Sequence, residues 1–207
     1  MRDEETPKRL STRARSIGLE IPVDVSAALV DYYKLLSRWN RKINLTSLSD
    51  PDAAVDRLLL EPLLAARYLP RNAAVIDLGS GGGSPAIPLA LGLEARLLVM
   101  VESRGRKAAF LREASRQLNF PAVVETSRFE DVASRDAYRH AMDVVSIRAV
   151  RVDEPTLSVA ATFARPGGRV ALFASSEPDP GQIPRGLRVD RSTPLLERSM
   201  LFELVAV

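Results

Sequence analysis

The residues with the clearest chemical potential form a glycine-rich run, residues 79–83, which directly follows a short apolar segment. Glycine has no Cβ, so its backbone can approach a bound ligand closely. A strand that leads into such a loop and then into a helix is typical of sheets that bind ligands at the carboxyl ends of their strands. The run also fits the dinucleotide pattern G-x-G-x-x-A from Gly81 onward, but that match alone does not identify a cofactor.

Two carboxylates near this loop favour S-adenosylmethionine. Asp77 precedes the glycines and would repel the pyrophosphate of a dinucleotide, whereas S-adenosylmethionine carries an ammonium and a sulfonium and no phosphate. Glu102 ends the next predicted strand, about 20 residues further on, where a carboxylate accepts hydrogen bonds from ribose hydroxyls of either cofactor. We therefore predict an S-adenosylmethionine site that contains these residues: Asp77, Gly79, Gly81, Gly83 and Glu102.

Two further positions follow later strands. Residues 127–130 come directly after the third predicted strand, where the backbone can meet the edge of an adenine, although Glu130 could also simply begin a helix. Arg148 ends the fourth strand and is predicted to face the transfer site. There it could contact a phosphate, a guanine O6 or the carboxylate of the cofactor.

The residue inventory limits the reaction. The chain has no cysteine and one histidine, His140, which excludes thiolate metal sites and covalent methylation of a cytosine ring carbon. We expect no metal, and a Ser-His-Asp triad would have to use His140. The Asn/Asp-Pro-Pro-Tyr motif of exocyclic-amine methyltransferases is absent. An acceptor that is already nucleophilic, such as guanine N7, remains; there alignment alone supplies much of the catalysis.

The predicted elements place these residues at one edge of a sheet. Two helices, residues 25–43 and 51–68, and an arm or short helix within residues 1–20 predict a helical N-terminal extension over residues 1–70. Residues 71–207 then predict a Rossmann-like methyltransferase domain within the same structural unit, with a mostly parallel seven-stranded α/β sheet and a C-terminal antiparallel hairpin. The predicted strands are 74–78, 96–101, 122–125, 142–147, 169–173, 187–190 and 200–207, and the intervening helices are 85–91, 105–119 and 154–165.

Composition adds weaker constraints. The 207 residues are 46% hydrophobic and 27% charged, the balance of a globular protein with a proper core. Of the 29 basic residues 25 are arginines, which indicates either a codon bias or an anionic partner. The charged N-terminus has no apolar segment typical of a secretion signal, and the purest apolar run, residues 97–101, is too short to span a bilayer. We therefore expect a cytoplasmic protein without a membrane partner.

Four segments resemble the glucose-inhibited division protein B family: residues 39–46 (WNRKINLT), 77–88 (DLGSGGGSPAIP), 102–111 (ESRGRKAAFL) and 148–149. The resemblance implies a cytoplasmic, S-adenosylmethionine-dependent enzyme that methylates a guanine N7 in 16S ribosomal RNA, free or within the small subunit. It carries over these cofactor contacts: Gly79, the backbone at Ser84, Phe129, Glu130 and Arg148. The basic residues that we expect to face RNA are Arg38, Arg41, Lys42, Arg104 and Arg106.

The sequence departs from the usual pattern of that family at several positions. It has Leu58 for histidine, Glu61 for aspartate, Ser84 for a large apolar residue, Ala86 for glycine, Ile147 for serine, and Ala174-Ser175 for Lys-Gly. Three other functions therefore stay open: a methyltransferase of the same fold with another substrate, a non-catalytic module that binds cofactor or RNA, and an NAD-dependent oxidoreductase.

Overall fold

The computed structural model describes residues 5–207. Seven strands form one sheet: β1 (Ala74–Leu78), β2 (Leu97–Val101), β3 (Ala122–Glu125), β4 (Met142–Arg148), β5 (Ala164–Ala174), β6 (Leu187–Pro194) and β7 (Met200–Ala206). Their order is β3-β2-β1-β4-β5-β7-β6. The first five strands of this order are parallel, and β7 runs antiparallel to both of its neighbours. The predicted fold class is therefore confirmed.

Eight α-helices accompany the sheet in the described part of the chain: α1 (Thr6–Ser16), α2 (Val23–Asn40), α3 (Pro51–Val55), α4 (Glu61–Ala66), α5 (Ala86–Leu93), α6 (Gly105–Gln117), α7 (Phe129–Ala133) and α8 (Glu154–Phe163). A π turn (Asp56–Leu60) joins α3 to α4, and short 3₁₀ turns occur at Asp136–Tyr138 and Pro180–Gln182.

The apolar strands explain the layered architecture. All five residues of β1 are buried, because a central parallel strand is covered on both faces. Its side chains alternate between two apolar clusters: Val75 packs with α1–α6, whereas Ile76 packs with α7 and α8. Helices therefore cover both faces of the sheet.

The N-terminal helices are joined to one another by ion pairs and to the sheet by apolar packing. Arg9 of α1 pairs with Asp52 of α3, and Arg13 pairs with Asp56 at the start of the π turn. Helices α1–α4 share one apolar cluster with α5 and α6. The short helix expected within residues 1–20 is α1, and residues 1–4 lie outside the described residues. The boundary at residue 70 stays a prediction.

The structure differs from the predicted elements in three main places. Strand β5 begins at Ala164, not at residue 169, so α8 ends at Phe163, and a register shift against β4 accommodates the intervening residues. The expected single helix over residues 51–68 is interrupted by the π turn, because Pro62 has no N–H to continue the α-helical pattern. Strand β6 runs beyond residue 190 to Pro194 through a register shift between Val189 and Arg191. A bulge of this kind lets an edge strand continue past a polar residue that resembles a turn in sequence.

Candidate active site

The glycine loop lies at the carboxyl edge of the sheet, between β1 and α5. The backbone N–H groups of Gly79 and Ser80 both donate to the carbonyl of Val101, at 2.9 Å, which ties the loop to the end of β2. Gly79, Gly81 and Gly83 have φ angles of +74°, +53° and +83°. Residues with a side chain rarely adopt these angles, so the backbone path itself requires glycine at the three positions.

Glu102 fixes the same loop from the end of β2. Its Oε2 accepts the N–H of Gly81 at 2.9 Å, and its Oε1 accepts the N–H of Arg104 at 2.8 Å. Each carboxylate oxygen keeps a second lone pair, so Glu102 can still accept hydrogen bonds from ribose hydroxyls. The structure therefore brings the predicted acid and the predicted glycines into one unit.

The loop has one open side. A Cβ at Gly79 would lie 2.7 Å from Val150 Cγ2, and one at Gly83 would lie 2.9 Å from Ile87 Cδ1, so both positions face packed side chains. A Cβ at Gly81 would meet only the carbonyl oxygen of Gly79, at an ordinary 3.7 Å. The open side at Gly81 and the free capacity of Glu102 fit the nucleoside portion of S-adenosylmethionine.

Asp77 lies beneath the loop and is only 1% exposed. Its Oδ1 accepts a hydrogen bond of 2.5 Å from the hydroxyl of Ser146 on the neighbouring strand β4, and burial raises the pKa of the carboxyl group. The structure thus gives Asp77 a supporting position under the strand end. Its predicted contact with the cofactor stays a prediction.

Phe129 and Glu130 begin α7, directly after the end of β3. Phe129 is partly buried against the α8 side of the sheet, whereas Glu130 is exposed. The carboxyl ends of parallel strands meet at one edge, so this segment lies at the same edge as the glycine loop. Its contact with adenine also stays a prediction.

Arg148 ends β4 at this edge, but its side chain is buried. Its Nη1 donates to the carbonyl of Arg57 at 2.6 Å and lies 3.6 Å from Oε2 of Glu61. Its Nη2 donates to the hydroxyl of Ser84, and its guanidinium carbon lies 5.8 Å from the ring centroid of Phe173. Because burial removes water from both charged groups, it lowers the pKa of Arg148 and raises that of Glu61.

His140 lies at the opposite edge of the sheet, before the first residue of β4. Its Nδ1 is 3.0 Å from the carbonyl oxygen of Ala164. The histidine is therefore remote from the glycine loop, and a triad at the carboxyl edge cannot include it. Among residues 5–207 no group of three or more histidines and carboxylates could hold a metal ion.

The five basic residues expected to face RNA are all exposed. Arg38, Arg41 and Lys42 lie at the end of α2, where Trp39 packs edge-on against Phe110 of α6 at 5.9 Å between ring centroids. Arg104 and Arg106 lie at the beginning of α6. In the same region a Cβ at Gly82 would lie 3.1 Å from the carbonyl of Leu45. The segment after α2 thus contacts the glycine loop through Leu45, and the start of α6 is linked to it through Glu102, which binds the N–H groups of Gly81 and Arg104.

Comparison with known proteins identifies the family. The family model for rRNA small subunit methyltransferase G, GidB, matches residues 25–179. The chain belongs to this family. Ribosomal RNA small subunit methyltransferase G of Xanthomonas campestris is 35% identical over 201 residues, which cover 94% of this chain and 92% of the relative. The protein of the same name from Alkalilimnicola ehrlichii is 33% identical over 183 residues, 86% of this chain and 80% of the relative.

Solved structures show the same fold at low sequence identity. An S-adenosylmethionine-dependent methyltransferase from Aquifex aeolicus aligns with a TM-score of 0.59 and 16% identity, over 79% of this chain and 97% of its own. TYW2 of M. jannaschii, in complex with AdoMet, aligns with a TM-score of 0.53 and 15% identity, over 77% of each chain. Together with GidB family membership, these likenesses confirm a Rossmann-like methyltransferase that uses S-adenosylmethionine. The individual contact residues stay predictions.

Sequence reasoning missed the partners of Arg148. Glu61 and the carbonyl of Arg57 in the π turn are distant in sequence from β4. A usable signal was present, since Glu61 lies within an otherwise apolar run, residues 58–66. A carboxylate in such a run predicts a buried partner, because an isolated buried charge is costly.

Among the described residues, no helix combines the length and apolar character needed to cross a membrane.

Proposed function

We propose that this GidB family member methylates N7 of a guanine in 16S rRNA of the small ribosomal subunit. The observation that carries the proposal is the glycine loop, open only at Gly81 and held by Glu102, in a chain of this family. Bound S-adenosylmethionine supplies a methyl group activated by its sulfonium. Glu102 and the loop backbone hold the nucleoside portion and orient it toward the carboxyl edge of the sheet.

The state of the nearby acids supports an acceptor that needs no deprotonation. Asp77 accepts from Ser146, Glu102 accepts from two backbone N–H groups, and Glu61 lies against Arg148. His140, the one histidine of the chain, lies at the other edge. The lone pair of guanine N7 is already available at neutral pH, so the protein has to align it with the methyl group. Alignment alone can supply about 7 kcal/mol, which corresponds to an effective molarity of about 10⁵ M.

The basic residues beside the loop supply the RNA contacts in this proposal. Arg38, Arg41, Lys42, Arg104 and Arg106 are exposed, and none forms an ion pair within residues 5–207. An arginine guanidinium can donate two parallel hydrogen bonds to two oxygens of one phosphate. A ribosomal substrate places the enzyme in the cytoplasm, and N7 methylation by this route uses no metal.

A methyl-transfer assay tests the proposal. Small subunits and deproteinised 16S rRNA from a strain that lacks the gene are incubated with the protein and labelled S-adenosylmethionine. The label is then mapped by mass spectrometry and by chain cleavage specific for N7-methylguanine. We expect the label on one guanine, at a site that cleaves. A label on an exocyclic amine, or on neither substrate despite cofactor binding, would contradict the proposal.

The same assay distinguishes the other possibilities. Calorimetric binding of S-adenosylmethionine without transfer to either RNA form would indicate a different substrate or a non-catalytic module. NAD that binds more tightly than S-adenosylmethionine would indicate the oxidoreductase.

A further inference from the structure

The turn before α4 presents two carbonyl groups without helical partners. In an α-helix, the carbonyls of Arg57 and Leu58 would accept from the N–H groups of residues 61 and 62. The N–H of Glu61 instead donates to Asp56, which forms the π turn, and Pro62 has no N–H. Both carbonyls therefore lack their α-helical donors and can accept hydrogen bonds from elsewhere in the molecule.

Two residues of the candidate site satisfy these carbonyls. The hydroxyl of Ser84 donates to the carbonyl of Leu58 at 2.6 Å, and Arg148 donates to that of Arg57 at 2.6 Å. Ser84 also accepts from Arg148. Since Ser84 directly follows Gly83, these bonds fix the end of the glycine loop on the π turn.

Glu61 completes the arrangement. It is 2% exposed, its Oε2 lies 3.6 Å from Arg148, and the same oxygen accepts from the hydroxyl of Ser199 at 3.1 Å. Ser199 lies in the turn between β6 and β7. The charge of Glu61 compensates the buried guanidinium, because a buried cation without a counter-charge is strongly unfavourable.

We propose that Glu61, Ser84 and Arg148 form a positioning network that holds the glycine loop in its cofactor-binding conformation. Arg148 acts through Ser84 and does not contact RNA phosphate. Both of its terminal nitrogens are engaged, Nη1 with Arg57 and Nη2 with Ser84, Glu61 pairs with its charge at 3.6 Å, and the residue is only 8% exposed. The inference rests on the proposed function only in taking this loop as the site of S-adenosylmethionine.

The test uses the full-length variants Ser84→Ala and Glu61→Gln, each with a matched control. Ser115→Ala removes a serine hydroxyl that donates to a carbonyl within α6. Glu203→Gln neutralises another buried glutamate that lies within 4 Å of arginines, on β7. Calorimetry gives the affinity for S-adenosylmethionine, and hydrogen exchange gives the protection of the loop amides, residues 79–84, in the ligand-free protein.

We expect both network variants to bind S-adenosylmethionine about tenfold more weakly, the loss expected for one hydrogen bond that involves a charged group. Their loop amides exchange faster and their KM for small subunits is unchanged, whereas both controls keep the wild-type cofactor affinity and loop exchange. Glu61→Asp, which keeps the charge, restores part of the affinity. Should Glu61→Gln fail to fold, Ser84→Ala still decides the result.

Unchanged loop exchange and cofactor affinity in Ser84→Ala would overturn the inference. A raised KM for subunits with normal cofactor affinity would also overturn it, because Arg148 would then serve RNA. If the wild-type protein binds no S-adenosylmethionine, the proposed function fails. The exchange measurement in the ligand-free protein then still decides whether the network holds the loop.

Discussion

The open side of the glycine loop predicts that Gly81→Ala separates cofactor binding from stability. Gly167 offers a matched control within β5, in the stretch where that strand shifts register against β4. Both glycines have positive φ angles, +53° and +74°. A Cβ at Gly167 would meet nothing within 4 Å, and one at Gly81 would meet only the Gly79 carbonyl at 3.7 Å. Neither added methyl group is therefore crowded within the protein.

The expected loss of stability is the same for both variants. A left-handed backbone costs a residue with a Cβ about 1–2 kcal/mol, and this cost lowers the free energy of unfolding. For a chain of this size, each kcal/mol corresponds to a fall of about 2–4 °C in Tm. Urea unfolding of the ligand-free proteins measures the two losses, which should agree within about 0.5 kcal/mol.

Cofactor affinity should distinguish the variants. The methyl group of Gly81→Ala projects into the space assigned to S-adenosylmethionine, so its Kd should rise at least about tenfold, or ~1.4 kcal/mol. Gly167→Ala should bind with the wild-type Kd in the same calorimetric titration.

Equal cofactor affinity in the two variants would refute the placement of the ligand at Gly81. A much larger loss of stability in Gly81→Ala than in Gly167→Ala would refute the open geometry of the loop itself.

Three further predictions follow from other residues. Glu102→Gln replaces an acceptor oxygen with an NH₂ group that faces a backbone N–H, so calorimetry should show S-adenosylmethionine binding at least about tenfold weaker; unchanged affinity would contradict the role of this carboxylate. Burial raises the pKa of Glu203, so its contribution to stability is present below its unfolded pKa and is lost as pH rises through the folded pKa. In urea titrations, Glu203→Gln should therefore have a higher free energy of unfolding than wild type at about pH 7 but not at about pH 4. A stability gain that is larger at about pH 4 than at about pH 7 would contradict this prediction. Arg41→Ala and Arg104→Ala should each reduce the slope of log Kd for rRNA against log salt concentration by about 0.7. Arg71→Ala, which removes an arginine paired with Glu94, should leave the slope unchanged; equal effects of all three variants would contradict the assigned RNA contacts.

The fold was predictable because its main signals are local. Strand β1 has the predicted bounds, since a parallel strand buried on both faces is a continuous apolar run. Strand β3 also has the predicted bounds although it lies at an edge of the sheet, because its short apolar run is bounded by Pro121 and by the polar residues after Glu125. The glycines of the loop were identifiable for the same reason: positive φ angles at Gly79, Gly81 and Gly83 require that residue type within one short segment.

The environment of Arg148 was not predictable in this way. In sequence, an arginine at a strand end beside a cofactor loop indicates an anion contact. Its observed partners come from the π turn, the loop before α5 and, through Glu61, the β6–β7 hairpin. Two of them, Glu61 and Ser84, are positions where the sequence departs from the usual family pattern, but only the fold brings them to one guanidinium.

The extension of β6 was missed for a different reason. Residues 191–193 are polar and follow Asp190, a combination that resembles the end of a strand. In the fold, β6 is one of the two edge strands of the sheet, and an edge strand carries polar residues on its solvent side without loss of pairing. Burial on both faces makes the central strands easy to predict, whereas the polar second half of β6 carries no such apolar run.

The arginine-rich composition also changes meaning once the fold is known. Ion pairs within residues 5–207 engage eleven arginines, and many of these hold elements together, as Arg13 does with Asp56 and Arg165 with Asp143. Total charge therefore says little about an RNA partner, because much of it is neutralised within the protein. RNA binding is favoured instead by exposed cations without such pairs at the end of α2 and the start of α6, two segments that are each linked to the glycine loop. A phosphate backbone that contacts both groups would cross the edge of the sheet at which the methyl donor is held.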